Sequence, residues 1–385
     1  YIQSGMVLNL DPYIAHANYG LVGEFDIDDI FDSFRQESQS YDALGSYYSL
    51  PFSKSTEVMI YNKTVFNELG LTPPETWQEL IAIAPALKNY AQSQNIQNFV
   101  PAAYDTAGNA FATLIHQFDG LYTSINHQSG LHDVLWNESQ NTFAAMQFAK
   151  DVSTSFGSSI LALADYWGQP YASQPFLNQQ TFMMISSSAG IQYSIPSDGS
   201  FEVGVVPIPY NADKPEHKAV IQQGANIAIF DHDDHHQNLA SWLFLRHLTS
   251  KEVTADFSMH TGNLPIRESA LNLSNYQTFL NNTSNPFALS INAALEQSQN
   301  FFYIQPFVSS QAVRIAGGEA LLSIMQTDGN IQKALDESKE FASLLGYTYQ
   351  FMNETSLLPL ELEKAKCQLM VSGLSDGLQT HLNLF

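Results

Sequence analysis

Short apolar runs alternate along this chain with longer segments of helical periodicity. Runs of four to eight mostly apolar residues have the length of buried strands, and apolar residues three or four apart indicate one buried helix face. The strand candidates are residues 58–61, 181–185, 201–208 and 225–230. The helix candidates are residues 141–152, 239–248 and 331–345. Strands that alternate with helices predict α/β lobes rather than a sandwich of two sheets.

One helix start carries a clear local signal. Thr76 is followed three residues later by Glu79, the pattern of a capping box, and apolar residues then recur towards Leu87. Pro85 interrupts this segment, so the sequence predicts a kink or an early end there. The next strand is predicted at residues 99–101.

Length and charge restrict the possible classes of function. A chain of 385 residues is long enough for two or three domains. It carries 38 acidic and 15 basic residues, a net charge of −23. This field would repel a phosphate backbone or an anionic lipid surface, so no nucleic-acid partner is expected. With 44% hydrophobic residues the chain has enough apolar side chains for packed cores.

The cysteine content and the hydropathy restrict the chain further. Cys367 is the only cysteine, which rules out a disulfide within the chain and a cysteine-based zinc cluster. No run of 18 apolar residues of the kind that forms a membrane-spanning helix occurs, and no signal peptide is visible.

Residues 231–236 (DHDDHH) have the composition of a metal site. They also stand directly before a predicted helix, where Asp233 or Asp234 would cap the free backbone N–H groups. We predict the cap and no metal or other cofactor. Gly317 and Gly318 lack the Gly-Lys-Ser/Thr of a phosphate loop, and we expect them to permit close helix packing.

Four segments resemble a known family when they are taken together and in order. They are residues 50–63 (LPFSKSTEVMIYNK), 73–80 (PPETWQEL), 201–207 (FEVGVVP) and 261–266 (TGNLPI). The chain over roughly residues 1–345 resembles extracellular solute-binding proteins of ATP-driven importers, in the branch of maltose-type and glycerol-3-phosphate-type binding proteins.

The resemblance implies an α/β, two-lobed, periplasmic-binding-protein-like fold with hinge strands and a central ligand cleft. The three crossings between lobes would fall near residues 103–105, 224–226 and 307–309. Lobe one would be residues 1–104 with 226–306, and lobe two residues 105–225 with 307–345. Residues 346–385 match nothing in the family and are expected to be a carboxy-terminal extension of unknown role.

The first residues, YIQSG, resemble a segment that lies well inside the amino-terminal lobe of the family. The resemblance therefore implies that a signal peptide and the opening strands are missing before Tyr1. One alternative that follows is a truncated, non-functional fragment of a binding protein.

The resemblance also implies a set of ligand-binding residues. They are Ser55, Asp105, Ser187, Ser188, Gly224, Asn263 and Arg314. Residues 55 and 56 are expected in a loop before a strand, where the serine could equally cap a turn. Arg314 matches the arginine that holds phosphate in glycerol-3-phosphate binders, and its guanidinium fork suits phosphate oxygens. The alternative for Arg314 is a structural ion pair between lobes.

Two features depart from the family pattern of phosphate-ester binders. Asn263 stands where these proteins often have tyrosine, and the aromatic pair that covers the ligand has no match near residues 103–108. Tyr104, Tyr166 and Trp167 are candidates for that role, or for core or rim packing.

The implied function is the substrate-binding subunit of an ABC importer. It would capture a sugar, polyol or glycerol-3-phosphate-like solute by cleft closure and deliver it to membrane permease subunits. The expected protein is a monomer without catalytic activity, in the periplasm or at the extracellular face of the cytoplasmic membrane. The rival from another class is a glycoside hydrolase, which would need two carboxylates in a catalytic setting.

Overall fold

The computed structural model describes residues 2, 5–126, 131–153, 159–307, 309–326 and 329–354. Within these ranges, no helix is both long and apolar enough to cross a lipid bilayer.

The described residues form a mixed α/β structure. The strands are β1 (Ser49–Asn62), β2 (Ala102–Tyr104), β3 (Thr123–Asn126), β4 (Leu131–Val134), β5 (Leu161–Leu163), β6 (Met183–Ser187), β7 (Val203–Val206), β8 (Val220–Ala228) and β9 (Phe301–Phe302). The helices are α1 (Asp11–Ile14), α2 (Asp32–Ser38), α3 (Lys63–Leu69), α4 (Trp77–Ser93), α5 (Ala107–Gln117), α6 (Gln140–Val152), α7 (Ser173–Leu177), α8 (His235–Leu248), α9 (Lys251–Thr261), α10 (Ser274–Leu280), α11 (Pro286–Glu296), α12 (Ser310–Gln326) and α13 (Ile331–Glu354).

The long strand β1 organises the main sheet, whose order is β5-β2-β6-β1-β8-β9. Its first half pairs with β8, from Ser49 opposite Ala228 to Thr56 opposite Gln222. Its second half pairs with β6 and β7, beginning at Glu57. A single strand thus connects two differently paired regions of the molecule.

Alternation along the central strands gives the sheet two buried faces. Met59, Tyr104 and Ile185 point into one core, which the helices α3, α4, α5, α6 and α12 cover. The neighbouring residues Val58 and Met184 point into a second core on the opposite face. The apolar runs predicted as strands are therefore continuous because both of their faces are covered.

A separate core lies at the beginning of β1. Leu10 and Leu50 pack there with Ile229 and Trp242 of the distant α8 region. The Trp242 indole N–H donates to the Tyr19 carbonyl oxygen at 2.9 Å. This core shares no buried residue with the one under α4.

This packing bears on where the lobes divide. Residues of α3 and α4, such as Val65 and Trp77, share one core with Tyr104 and Phe111. A crossing near residues 103–105 would divide that core. A crossing inside β1, where its pairing changes from β8 to β6, leaves this core and the core at Leu50 whole, although it separates Val58 from Ile30 and Leu264 of the second core.

Local sequence signals are confirmed where they concern helix ends. Thr76 Oγ1 accepts from the Glu79 N–H at 3.1 Å, and the Glu79 carboxylate accepts from the Thr76 N–H at 3.3 Å. Asp234 caps α8 by accepting from the His236 N–H at 2.9 Å. Of the two alternatives predicted at Pro85, a kink or an early end, the early end is wrong, because α4 continues to Ser93.

Several expectations about strands and termini need correction or concern residues outside the described ranges. Ser55 and Thr56 lie inside β1 rather than in a loop, and β2 begins at Ala102 rather than at residue 99. The expected extension begins as a continuation of α13, which runs to Glu354. Tyr1, Gln3 and Ser4 of YIQSG, Val308 of the third crossing and residues 355–385 lie outside the described residues.

Candidate functional site

A cleft of about 360 Å³ opens beside the β1–β8 pair and the first turn of α5. Three carboxylates, several amides and hydroxyls and one arginine face it. The lining residues are Glu37, Glu57, Asp105, Thr106, Asn109, Tyr171, Ser187, Ile221, Gln222, Gln223, Gly224, Ile304 and Arg314. These residues come from positions far apart in the chain, so the cleft exists only in the folded protein.

Gly224 allows the two crossing strands to approach closely. Its φ of +99° is unfavourable for a residue with a side chain, and an added Cβ would overlap the Ser53 carbonyl oxygen. Gly224 is opposite Lys54, whose ammonium is fully buried and donates to Glu37 at 2.6 Å and to the Gly224 carbonyl oxygen at 3.3 Å. This ion pair fixes α2 against the strand pair at the edge of the cleft.

Arg314 reaches the cleft because α12 packs unusually close to α5. A Cβ added at Gly317 would lie 2.5 Å from the Phe111 ring, and one at Gly318 would lie 2.9 Å from the Gly108 nitrogen. The expected role of the two glycines in close helix packing is thus confirmed. The half-buried Arg314 side chain runs past Gly108 and donates to the Asn109 side-chain oxygen. Its positive charge therefore lies beside the positive end of the α5 dipole.

Glu57 is the most perturbed carboxyl group of the cleft. Burial in β1 raises its pKa to about 7. Hydrogen bonds oppose this shift, with Tyr104 Oη donating at 2.6 Å and Thr113 Oγ1 at 3.1 Å, and so does the charge of Arg314. A carboxyl group in this position can accept hydrogen bonds in the ionised state and can donate one when protonated.

Asp105 follows β2 and is held by two donors. Its carboxylate accepts from the Ala172 N–H at 2.6 Å and from Ser186 Oγ at 2.9 Å. Burial raises its pKa, while these two hydrogen bonds work against that shift. Ala172 directly follows the cleft residue Tyr171. The hydrogen bond from Ala172 to Asp105 therefore also holds Tyr171 in position at the cleft.

Two buried polar atoms among the lining residues have no hydrogen-bond partner in the structure. They are Thr106 Oγ1, at the N-terminus of α5, and Gln222 Oε1, on β8. Gln222 uses its amide nitrogen to donate to Glu37 at 2.7 Å. An unpaired buried acceptor is costly, so these atoms are suited to ligand hydroxyl groups.

The structure brings four of the seven expected ligand residues into the cleft. Asp105, Ser187, Gly224 and Arg314 line it. Ser55 lies beneath Ser187, whose hydroxyl donates to it at 3.4 Å, and is only 5% exposed. Their roles in ligand binding stay predictions.

Ser188 and Asn263 have structural partners instead. Ser188 is fully buried, and its Oγ accepts from the Thr56 N–H at 3.3 Å. The Asn263 side chain accepts from Ser53 at 3.1 Å and donates to Thr261 at 3.0 Å. Neither residue lines the cleft.

The sequence interpretation missed most of the acidic and amide lining. One available signal was Glu57, since a charged residue inside a buried strand run is costly unless its charge has a purpose. Among the three aromatic candidates, Tyr104 is buried and binds Glu57, whereas Tyr166 and Trp167 lie at a different cavity. Among the described lining residues the aromatic one is Tyr171, and no local pattern distinguishes it.

The raised pKa of Glu57 predicts a specific dependence of stability on pH. The unfolded carboxyl has its ordinary pKa of 4.5 and the folded one a pKa of about 7, so folding becomes less favourable as the pH rises between these values. We expect Glu57→Gln to remove this loss. The unfolding free energy of Glu57→Gln minus that of the parent protein should therefore rise by about 2–4 kcal/mol when the pH is raised from 5 to 8. Urea denaturation of both proteins at the two pH values measures this, and an equal pH dependence would contradict it.

A metal-binding role is not supported by the geometry. Among the residues that the structure describes, no group of three or more His, Cys, Asp or Glu side chains could hold an ion. In the run 231–236, Asp234 caps α8 and the His236 side chain is 93% exposed.

Comparison with known proteins shows the relationship of this chain. The family described as bacterial extracellular solute-binding protein matches residues 1–282. The sn-glycerol-3-phosphate-binding periplasmic protein UgpB of Yersinia pestis is 29% identical over 257 residues, 61% of this chain and 52% of the relative. UgpB of Escherichia coli K12 is 27% identical over 279 residues, 65% of this chain and 59% of the relative. The chain thus spans little more than half the length of the curated relatives that it matches.

Solved structures show the same fold. UgpB from Mycobacterium tuberculosis, in complex with glycerophosphocholine, superposes with a TM-score of 0.69 at 22% identity, over 91% of this chain and 81% of that one. The sugar-binding protein MalE from Xanthomonas citri gives 0.70 at 16% identity, over 92% and 82%. These neighbours confirm the expected two-lobed binding-protein fold, and the named relatives are solute-binding proteins rather than enzymes. The chain belongs to the bacterial extracellular solute-binding protein family.

Proposed function

We propose that this chain is the substrate-binding subunit of an ABC importer and works outside the cytoplasmic membrane as a monomer. It captures a sugar, polyol or glycerol-3-phosphate-like solute in the cleft and delivers it to the membrane permease subunits. The observation that carries the proposal is the lining of the β1–β8 cleft, where hydroxyl-binding groups and one arginine converge. Nothing in this mechanism requires catalysis, a cofactor or nucleic acid.

The acceptors in the cleft support a polyhydroxylated ligand. Glu37, Glu57 and Asp105 present carboxylate oxygens, and Thr106 and Gln222 contribute buried oxygens without a partner. Ligand hydroxyl groups would replace the water that these acceptors lose when the cleft closes. The ring of Tyr171 offers an apolar face to the carbons of such a ligand.

Arg314 supports the narrower assignment of a phosphate ester. It is the only cation among the described lining residues, and it lies beside the N-terminus of α5. A guanidinium fork together with the free N–H groups of a helix start is a favourable site for phosphate oxygens. The glycerol part would then contact the carboxylates on the opposite wall.

We propose that the lobes meet within β1 and β8 rather than near residue 103. Lobe one then contains residues 5–54 with 225–300, and lobe two contains residues 57–221 with 309–345. The separate cores at Leu50 and at Met59 support this division. Since Glu37 belongs to lobe one and Arg314 to lobe two, a ligand that binds both would bridge the lobes and favour the closed state.

The rival assignment to a glycoside hydrolase has less support. A catalytic pair would need two carboxyl groups at a defined separation on opposite sides of the scissile bond. The relatives that this chain matches are solute-binding proteins, and their names give no support to a hydrolase.

Ligand binding should stabilise and compact the protein. We expect at least one member of a panel of maltose, glycerol, glycerol-3-phosphate and glycerophosphocholine to raise the melting temperature by several degrees, as binding at about 100 times Kd contributes about 2.7 kcal/mol. Differential scanning fluorimetry identifies the ligand, and small-angle scattering should then show a smaller radius of gyration. No stabilisation and no contraction with any of the four would contradict the proposal. Release of sugar from maltose would favour the hydrolase.

A further inference from the structure

A cavity of about 320 Å³ lies apart from the cleft and shares no lining residue with it. It is formed by the turn after β5, by α7 and by the loop before β2. Two aromatic residues, Tyr166 and Trp167, form one side. The amide residues around them are Asn98, Gln169, Gln174, Asn178 and Gln180.

The aromatic side of this cavity is held in a fixed geometry. The Trp167 indole N–H donates to the Asn98 carbonyl oxygen at 3.0 Å, which sets the plane of its ring. Tyr166 packs against it with ring centroids 5.1 Å apart and an interplanar angle of 86°. Tyr166 remains 42% exposed. The two rings therefore offer perpendicular apolar surfaces without needing to rearrange.

The amides supply hydrogen-bonding groups without charge. Gln174 of α7 donates to Asn178, the residue directly after this helix, at 3.0 Å, which orients both side chains. The side-chain amides of Asn98, Gln169 and Gln180 make no hydrogen bond with any described residue. Each can donate and accept at once, which matches the vicinal hydroxyl groups of a sugar ring. The described lining contains no Asp, Glu, Lys or Arg to attract an ionic ligand.

We propose that this cavity is a second binding site, separate from the cleft, for a neutral saccharide. One pyranose ring would place its C–H face on Tyr166 or Trp167 and its hydroxyl groups on the amides, as aromatic and planar polar side chains together permit. The volume accommodates one to two sugar rings. A small, open site of this kind is expected to bind with millimolar affinity.

Trp167 provides a direct reporter for this site. The chain has four tryptophans, and Trp77, Trp136 and Trp242 are at most 1% exposed, whereas Trp167 is partly exposed. Quenching of the intrinsic fluorescence by acrylamide therefore reports mainly on Trp167. We expect cellobiose to lower the quenching constant saturably, by about half, because a ring stacked at this site shields the indole. Glucose 6-phosphate should protect less, since nothing in the lining pairs with its charge.

Tyr166→Ala leaves the reporter in place and removes the second ring. We expect the cellobiose midpoint to rise about three- to tenfold, the loss for one aromatic contact. Gln169→Ala should have a similar effect through a lost hydrogen bond. Tyr193→Ala, a 67% exposed tyrosine outside the cavity, is the matched control and should behave as the parent protein.

Two results would overturn the second site. One is the absence of protection of Trp167 by cellobiose in the parent protein at concentrations up to the solubility limit. The other is an equal midpoint in the Tyr166→Ala, Gln169→Ala and Tyr193→Ala variants, which would assign the protection to binding in the cleft. Neither result depends on the identity of the cleft ligand.

Discussion

Arg314→Ala should weaken the binding of glycerol-3-phosphate by about 2–5 kcal/mol, the usual loss when one partner of a buried charge pair is removed. An anion must approach this protein against a net charge of −23, so it needs a cation that is already in place. The Arg314 side chain extends from α12 to the N-terminus of α5, where its hydrogen bond to Asn109 orients it. Isothermal titration calorimetry with glycerol-3-phosphate measures the loss.

Three comparisons make this test specific. Arg314→Lys should recover only part of the affinity, because a point charge replaces a planar fork. Binding of neutral glycerol should change little in either variant. Arg246→Ala is the matched control, since Arg246 is also half-buried but lies over the Phe25 ring, 3.8 Å from its centroid and outside the cleft. Equal affinity of the parent protein and Arg314→Ala for glycerol-3-phosphate would leave Arg314 with a structural role.

Gly224→Ala should destabilise the fold by about 2–5 kcal/mol, through backbone strain at a positive φ and overpacking between strands. The added methyl group would overlap the Ser53 carbonyl oxygen in the strand pair that carries Lys54. Chemical denaturation gives the change in unfolding free energy. The strands β1 and β8 also form one wall of the cleft. A displacement of β8 should therefore weaken ligand binding as well.

Gly190→Ala is the control for the general effect of a glycine replacement. Its φ is not positive, and an added Cβ would have its nearest neighbour, Ser186 Oγ, at 3.9 Å. We expect its unfolding free energy to stay within about 1 kcal/mol of the parent value. If both variants lose the same stability, the close approach at Gly224 is not the cause.

Several features could be derived from the sequence because they depend on residues close together in the chain. The capping box at Thr76 and Glu79 joins residues three apart, and the cap at Asp234 acts on the backbone two residues later. Strand runs and helix periodicity indicated the α/β class for the same reason, as a repeat of two or 3.6 residues is visible in any short window. Gly317 and Gly318 indicated a close helix contact, although not its partner α5.

The lobe boundary and most of the cleft depend on contacts between distant residues. Tyr104 binds Glu57 across 47 positions, Gln222 binds Glu37 across 185, and Arg314 binds Asn109 across 205. Resemblance to a family suggested Arg314 and Asp105, which line the cleft, and also Ser188 and Asn263, which do not line it and hydrogen-bond to neighbouring residues. No local pattern reveals such pairs.

The sequence by itself therefore determined several helix starts and strands, the class of fold and the family, because these follow from local periodicity, caps and short motifs. The tertiary structure alone decided which carboxylates face the cleft, why Glu57 has a pKa of about 7, and where β1 passes between two cores. The physical reason is that burial and electrostatic environment arise from side chains that only the folded chain brings together.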